Sequence, residues 1–363
     1  MIYKTQKAPD TPKQECKQGL QFCVPYHVGF GTDLSSMIQK NPNNLLLTFV
    51  NDKFEIALEL VLNICYNKFS KRRRRTDNMN DYEFRADLET VMDLLDITAV
   101  EIADSMGVSP VTVSRWRKNE ENVSNSSLNA FYNLAFKKGI RLNKIKEQLF
   151  KEECKNNSVI LFHGAKSHIE GKISIEKSKD TNDFGKGFYC GESLEQSAMF
   201  VANYPESSIY ILEFDRAGLS YTQLNVNRDW MLLIAFFRNK LPEYSNHPVI
   251  LKLLSKLEDA DYIIAPIADN RMFEIIDSFI DGEITDVQCQ HCLSATNLGN
   301  QYVFFSDKAL KQLHILRHCF LAPDEKKYYL TSKQEESRIG NDKVKLARRQ
   351  YRGQGKYIEE ILK

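Results

Sequence analysis

The first half of the chain places apolar residues at the spacing of amphipathic helices. Over 51–69 and again over 88–140, apolar positions recur every three or four residues between polar ones. Residues with cap and turn chemistry divide the second stretch into short helices. The predicted helices are 51–69, one that ends near Leu95, 100–105 capped by Thr98, and one capped by Ser109 that runs from Pro110 through Trp116. This part of the chain is therefore predicted to be all-helical.

From residue 158 to about 320, short runs rich in β-branched and aromatic residues alternate with helical stretches. The predicted strands are 158–164, 208–215, 260–269 and 300–306. The predicted helices are 193–203, 228–240, 271–282 and 306–316. No GxGxxG follows a strand, and Walker A, GxSxG and HExxH motifs are absent, which argues against several common enzyme folds. The predicted fold class is α+β.

Composition is that of an ordinary soluble protein of two or three domains. The chain has 363 residues, 42% hydrophobic and 27% charged, with a formal net charge of +1. No apolar run approaches a membrane span, and the first residues lack the apolar core of a secretory signal. We therefore expect a cytoplasmic protein without a membrane partner, and reduced thiols at its eight cysteines.

Three local features leave alternatives open. The basic run 71–75 is either a solvated hinge or an arm that contacts phosphates. The segment 326–363 is basic in its middle and is either a flexible nucleic-acid arm or a docking helix. Cys289 and Cys292 form one clean CxxC pair, whereas a zinc site needs four converging ligands. We expect ordinary thiols there and no metal.

The stretch 101–116, "EIADSMGVSPVTVSRW", resembles the helix-turn-helix of the phage-repressor family. The resemblance implies that the front of the second helix enters the major groove of DNA. The residues implied in nucleic-acid binding are Ser109, Thr112, Ser114, Arg115 and Arg117. The alternative is a protein-interaction or dimerisation module of the same fold.

Five ordered motifs in the second half carry another resemblance. They are His163-Gly164, Asp183 to Tyr189 ("DFGKGFY"), Trp230 to Arg238, Asp261 to Arg271, and Gln301 to Leu310. The first two are similar to the nicotinamide pocket of ADP-ribosyltransferases of the diphtheria-toxin and poly(ADP-ribose) polymerase branch. All five, in this order, are more closely similar to a bacterial domain family of that fold whose function is unknown. The resemblance implies a split β-sheet with helices and NAD+ as substrate.

The resemblance also implies roles for single residues. His163 would bond a ribose hydroxyl, the Gly164 backbone would meet the nicotinamide amide, and Tyr189 would stack on the nicotinamide ring. The implied catalytic residues are His163, Tyr189 and Gln301. The implied NAD+-binding residues are His163, Gly164, Asp183, Gly185, Gly187, Phe188, Tyr189, Tyr204, Asp269 and Arg271.

Gln301 stands where active members of the better-known branch usually carry a glutamate. Glutamine bonds a ribose hydroxyl but supplies no charge to an oxocarbenium-like transition state. We therefore expect single transfers and no polymer, unless Asp183, Asp269 or Glu283 reaches the site. On this reasoning Gln301→Glu should be tolerated.

The leading hypothesis is a mono-ADP-ribosyltransferase that acts as a bacterial toxin or antiphage effector on nucleic acid or protein, with an antitoxin or immunity partner. The alternatives are a DNA-binding regulator that senses NAD+ or ADP-ribose without turnover, and an NAD+ glycohydrolase. The predicted division is 1–75 for an N-terminal segment with one helix and a basic linker, 76–152 for the helix-turn-helix domain, 153–325 for the transferase-like domain, and 326–363 for the basic tail.

Overall fold

The computed structural model describes residues 82–118, 122–154, 157–295 and 299–363. The predicted helix 51–69 and the basic run 71–75 lie outside these residues. Within them the chain is a mixed α+β protein, as the sequence predicts, and is built on a seven-stranded sheet. None of the helices described is long and apolar enough to cross a membrane.

Within the described residues, five helices precede the sheet and share one core. They are α1 (Phe84–Leu95), α2 (Ala99–Met106), α3 (Pro110–Lys118), α4 (Asn125–Lys137) and α5 (Leu142–Glu152). Thr98 caps α2 through a capping box with Glu101, and Gly107 ends it at φ 66°, which favours glycine. Trp116 is 3% exposed and packs edge-on against Phe84.

The helical part is joined to the sheet by polar and aromatic contacts. Tyr132 stacks on Phe320 with ring centroids 4.9 Å apart, and the Asn143 amide donates to the Phe320 carbonyl at 2.8 Å. Arg317 pairs with Glu83 at 2.8 Å. These contacts hold the five helices against the last strand of the sheet.

The strands are β1 (Ser158–Ala165), β2 (Phe188–Gly191), β3 (Ser208–Asp215), β4 (Tyr221–Gln223), β5 (Tyr262–Pro266), β6 (Asn300–Phe304) and β7 (Leu313–Phe320). Their order across the sheet is β4-β5-β6-β2-β1-β3-β7. β4 and β5 run parallel, and the other neighbours run antiparallel.

The sheet is split between β1 and β2. The two strands share one register pair, Phe162 with Gly191, whereas β1 pairs with β3 along its whole length. Phe214 of β3 lies 4.9 Å from Tyr262 of β5 between ring centroids. In a flat sheet, strands four places apart would be about 19 Å apart. The half-sheets β4-β5-β6-β2 and β1-β3-β7 therefore fold over and pack their inner faces together.

Helices cover the two outer faces. The remaining ones are α6 (Leu194–Val201), α7 (Arg228–Phe237), α8 (Pro248–Ser255), α9 (Asn270–Ile280), α10 (Asp286–Ser294), α11 (Asp307–Lys311), α12 (Pro323–Gln350) and α13 (Ile358–Ile361), with a 3₁₀ turn at Pro242–Tyr244. α6 packs on β1 and β3. α7, α9 and α10 form the core outside the other half-sheet.

The structure corrects two element predictions. The predicted helix 306–316 ends at Lys311, because residues from Leu313 onward pair with β3. The boundary predicted at 325/326 falls inside α12, so residues 326–350 are helical and packed rather than a flexible arm. Cys289 and Cys292 are buried on α10, and no group of three or more potential metal ligands occurs among the described residues.

Candidate functional site

His163 lies on β1 at the split and is held by β2. Its Nδ1 is 2.7 Å from the carbonyl oxygen of Tyr189, and its ring stacks on Phe188 at 4.4 Å. A carbonyl only accepts, so Nδ1 carries the proton and Nε2 of the neutral ring is an acceptor. Burial lowers the pKa of His163, which keeps the ring neutral. His163 therefore presents its Nε2 as a hydrogen-bond acceptor at the split between β1 and β2.

Gly164 is required by helix packing. A β-carbon at this position would lie 2.5 Å from the Ser197 carbonyl oxygen of α6. The Ser197 hydroxyl donates to the Phe162 carbonyl at 3.1 Å, which ties α6 to the same strand. The resemblance implies that a ligand contacts the backbone of this glycine. The structure shows that the missing side chain also lets α6 pack closely on β1.

The glycine-rich turn before β2 is closed by its own tyrosine. The Tyr189 hydroxyl donates to the Gly185 carbonyl at 2.8 Å and accepts from the Phe184 amide at 3.1 Å. Burial raises the pKa of Tyr189. Gly185 has φ 72°, and a β-carbon on Gly187 would lie 2.6 Å from a Val303 methyl. Both glycines are thus explained by the turn and by packing against β6.

Asp183 and Gln301 form one buried polar cluster with Arg238. The Gln301 amide nitrogen donates to Asp183 Oδ2 at 2.9 Å and to the Pro266 carbonyl at 3.1 Å. Arg238 Nε donates to Asp183 Oδ1 at 2.9 Å, and its Nη2 also bonds that oxygen. Asp183 and Gln301 are each 7% exposed. The amide of Gln301 is therefore fixed, with Oε1 as its remaining acceptor.

The three residues implied in catalysis come from adjacent strands. His163 is on β1, Tyr189 on β2 and Gln301 on β6. Tyr189 packs against the core outside its half-sheet, and Gln301 faces the same way because side chains alternate along paired strands. The His163 ring lies instead with Phe188, which belongs to the core between the half-sheets. The backbones meet at the split, and the His163 and Tyr189 rings point to opposite faces.

Asp269 and Arg271 lie at the N-terminus of α9 and bond to protein groups there. Asp269 caps the helix by accepting from the Met272 amide at 2.8 Å. Arg271 Nη1 donates to the carbonyls of Glu336 and Ser337 on α12, each at 3.2 Å.

Tyr204 and Glu283 lie away from this cluster. Tyr204 follows α6, and Lys166 Nζ is 4.6 Å from its ring centroid. Lys166 lowers the pKa of this tyrosine through a hydrogen bond and its charge. Glu283 faces Arg348 at 3.7 Å beyond the C-terminus of α9. The other end of that helix, about 16 Å away, is the end that contacts Asp183, so the structure disfavours the alternative in which Glu283 reaches the site.

One aromatic residue near the split was missed by sequence reasoning. Phe200 on α6 is 62% exposed, three residues beyond Ser197 on the helix that packs on Gly164. The signal was the helical period, because Leu194, Ala198 and Val201 form the buried face and leave Phe200 off it. Phe200 is therefore a large exposed ring on the helix that packs on Gly164.

In the helical part, α3 presents polar residues opposite its buried face. Val113 and Trp116 are buried, whereas Arg115 and Arg117 are exposed. The Ser109 hydroxyl accepts from the Thr112 amide at 3.1 Å and so caps α3. Thr112 and Ser114 are half-buried. Ser109 is thus occupied as a cap, and the two arginines form the charged face.

Comparison with known proteins adds one finding. Residues 159–315, from β1 to β7, match the model of a family described as "Protein of unknown function (DUF3990)". The match covers less than half of the chain and includes every residue of the cluster at the split. No curated protein and no solved structure matches the chain.

Proposed function

We propose that the protein is an NAD+-dependent mono-ADP-ribosyltransferase, with a transferase-like split sheet that follows a helix-turn-helix unit. The observation that supports the proposal is that His163, Tyr189 and Gln301, which the motif resemblance implies as catalytic, lie on the adjacent strands β1, β2 and β6. Gly164 and Tyr189 lie on the two sides of the split, where β1 and β2 stop pairing.

In this proposal NAD+ crosses the split, with nicotinamide on the outer side, where Tyr189 lies, and a ribose hydroxyl reaching the inner side, where the His163 ring lies. The nicotinamide ring packs between Tyr189 and Phe200, since a flat apolar ring is recognised by aromatic faces. His163 Nε2 accepts a hydrogen bond from a ribose hydroxyl. Gln301 Oε1 accepts a hydrogen bond from another hydroxyl of the ribose, because the amide nitrogen of Gln301 already donates to Asp183 and Pro266.

The reaction is a substitution at the ribose carbon that carries nicotinamide. The bond to the acceptor forms, the glycosidic bond to nicotinamide breaks, and nicotinamide leaves as a neutral molecule with the electron pair. The acceptor loses its proton to solvent. No acid is needed for the leaving group, so the protein contributes positioning of NAD+ and of the acceptor. A neutral Gln301 restricts the acceptor to groups that are nucleophilic by themselves.

Incubation of the purified protein with labelled NAD+ and a mixture of DNA, RNA and cell lysate tests the proposal. We expect label on one class of macromolecule, in single ADP-ribose units by mass spectrometry. Release of free ADP-ribose without label on any macromolecule would identify a glycohydrolase instead.

A second candidate is a regulator that binds NAD+ or ADP-ribose without turnover. It is favoured by the engagement of Asp183, whose two oxygens accept from Arg238, Gln301 and the Ala268 amide. Both oxygens of this carboxylate are engaged by the protein, so neither is positioned to contact an acceptor group. Binding of NAD+ that leaves it chemically unchanged would decide for the regulator.

In this proposal the helical part selects the macromolecule that is modified. Arg115 and Arg117 on α3 would contact phosphates, and the front of α3 would read DNA. In a cytoplasmic toxin or antiphage effector, that module would bring the transferase to nucleic acid, and an antitoxin or immunity partner would restrain it. A stable protein complex through α3, without DNA binding, would favour the interaction module.

A further inference from the structure

Helix α12 runs along the wall of the candidate site formed by α6. Lys326 Nζ donates to the carbonyl oxygens of Tyr204 at 3.1 Å and Pro205 at 2.6 Å, just beyond the end of α6. Farther along, Lys333 Nζ lies 5.9 Å from the centroid of the Phe200 ring. The exposed ring proposed as a wall for nicotinamide therefore has α12 beside it.

The same helix then reaches the opposite wall. Arg271, at the start of α9, donates to two carbonyl oxygens of α12, and Gly340 packs against its guanidinium. A β-carbon on Gly340 would lie 2.6 Å from Arg271 Cζ. α6 belongs to the half-sheet of β1, and α9 belongs to the half-sheet of β6. Between Lys333 and Gly340, α12 consequently crosses the split on its outer side.

The crossing part of α12 is held weakly compared with its ends. Near the start, Tyr329 and Glu325 are buried, and near the end, Ala347 is buried and Gln288 donates to the Arg348 carbonyl at 2.9 Å. Between them, Gly340 is the one buried residue of the helix. Leu330 and Val344, near the two ends of this part, pack against the cores outside the half-sheets. Between them, the Arg271 hydrogen bonds and the Lys333–Phe200 contact lie beside water and stabilise little.

Acidic groups around this position disfavour the charged form of Glu336 on α12. Burial and the charge of Glu195 on α6 raise the pKa of Glu336, the charge of Asp269 adds to this, and Arg271 lowers it. Most side chains from Lys333 to Ile339 are exposed, so release of this part of α12 loses few apolar contacts.

We propose that α12 is a strap that closes the site, and that NAD+ enters when residues 330–340 leave the split. The strap is a property of the fold, and only the identity of the ligand rests on the proposed function. If the closed form dominates, the measured affinity for NAD+ falls by the fraction of molecules that are open.

Gly340→Leu tests the strap because the new side chain displaces the Arg271 guanidinium from α12. Leucine also favours helix more than glycine does, so the helix itself is not weakened. The matched control is Arg338→Ala, which removes an exposed pair with Glu335 on the solvent side of α12. Hydrogen exchange by mass spectrometry reports on α6 and α12, and calorimetry reports on NAD+.

We expect Gly340→Leu to speed exchange in 330–345 and in α6, and to lower the Kd for NAD+ about tenfold, since closure lowers apparent affinity by the closed fraction. Arg338→Ala should change neither. Exchange equal to wild type in Gly340→Leu would overturn the strap whatever NAD+ does. Faster exchange with an unchanged Kd would also overturn it and leave the transferase proposal standing. Faster exchange with no NAD+ binding in any variant would keep the strap as a cover and reject NAD+ as the ligand.

Discussion

At the residue scale, the contact with Asp183 explains why a glutamine, rather than a glutamate, fits at position 301. The Gln301 amide donates to Asp183, a carboxylate that is already paired with Arg238. A glutamate in the same rotamer would place two carboxylates in one buried site and would lose a donor. Sequence reasoning treated Gln301→Glu as tolerated, because the motif alone does not show Asp183 beside it. The structure favours the opposite outcome.

Gln301→Glu is therefore expected to destabilise the protein by about 2–3 kcal/mol in urea unfolding at neutral pH, because it buries an unpaired charge. The loss should shrink below about pH 5, since a proton shared by two carboxylates restores the missing donor. Gln223→Glu on the exposed strand β4 makes the same charge change and should be nearly neutral. A fully stable Gln301→Glu at pH 8 would contradict this account.

His163 gives a prediction for chemistry. If Nε2 holds a ribose hydroxyl in the transition state, His163→Ala should lower turnover more than it lowers NAD+ affinity. His163→Asn keeps a polar group and should retain part of the turnover. Labelled NAD+ in single-turnover assays and calorimetry measure the two effects separately. Equal activity of His163→Ala and wild type would remove this residue from the mechanism.

At the element scale, the position of α6 against β1 depends on glycines. A β-carbon on Gly164 meets the Ser197 backbone carbonyl at 2.5 Å, whereas one on Gly191 meets the Ser197 hydroxyl at 3.1 Å. The first obstacle is backbone and the second is a side chain that rotates. Alanine at position 164 and alanine at position 191 should therefore lower the free energy of unfolding by different amounts.

Gly164→Ala is expected to cost about 1–3 kcal/mol of unfolding free energy, the range of overpacked cores. Gly191→Ala should cost less, because the serine hydroxyl moves aside. Thermal and urea unfolding of the two variants provide the comparison. Equal costs would mean that α6 shifts freely on β1.

Glu325 in the first turn of α12 makes the anchor of that helix sensitive to pH. Burial raises the pKa of Glu325 to about 7, although Asn143 and Tyr329 bond its carboxylate. Its folded pKa exceeds its unfolded one, so its contribution is complete below about pH 4.5 and is lost as pH rises through 7.

Wild-type stability should therefore decline between about pH 5 and pH 8, by an amount on the order of 3 kcal/mol if Glu325 acts alone. Glu325→Gln keeps the shape and removes the charge, so its decline should be smaller by that amount. Urea unfolding at the two pH values measures the difference. The same decline in both proteins would assign it to another group.

At the scale of the whole molecule, one helix connects the two halves described above. α12 begins against the helical part, where the Asp324 amide donates to Asn133 at 3.0 Å and Asn143 donates to Glu325 at 3.2 Å. It then crosses the split near Arg271. A ligand that shifts the helical part would therefore act on the same element that covers the candidate site.

If α3 binds DNA, affinity should fall steeply with salt, and loss of Arg115 or Arg117 should reduce the slope by about one. If α12 couples the two sites, saturating NAD+ should change the affinity for DNA by some factor. Saturating DNA should then change the affinity for NAD+ by the same factor. Titrations of the full chain with each ligand alone and together measure both factors. Independent affinities would show that α12 does not connect the sites.

The sequence by itself determined the local elements and the residue types at the split. Periodicity, caps and glycines placed α2, α3 and most strands, because those signals act within one turn or one strand. Ordered motifs singled out His163, Tyr189 and Gln301 before any strand order was known. The turn chemistry of Asp183 to Tyr189 was likewise readable from its glycines.

Only the tertiary structure decided the strand order, the split, the pairing of Asp183 with Gln301 and the course of α12. Register across the sheet depends on contacts between residues more than a hundred positions apart, such as Asp183 and Gln301. The segment after Lys311 became a strand because β3 offered a free edge, and the tail became a helix across the split because two walls lay within its reach. Those outcomes depend on the surfaces that the rest of the fold presents, and local propensity carries no information about such surfaces.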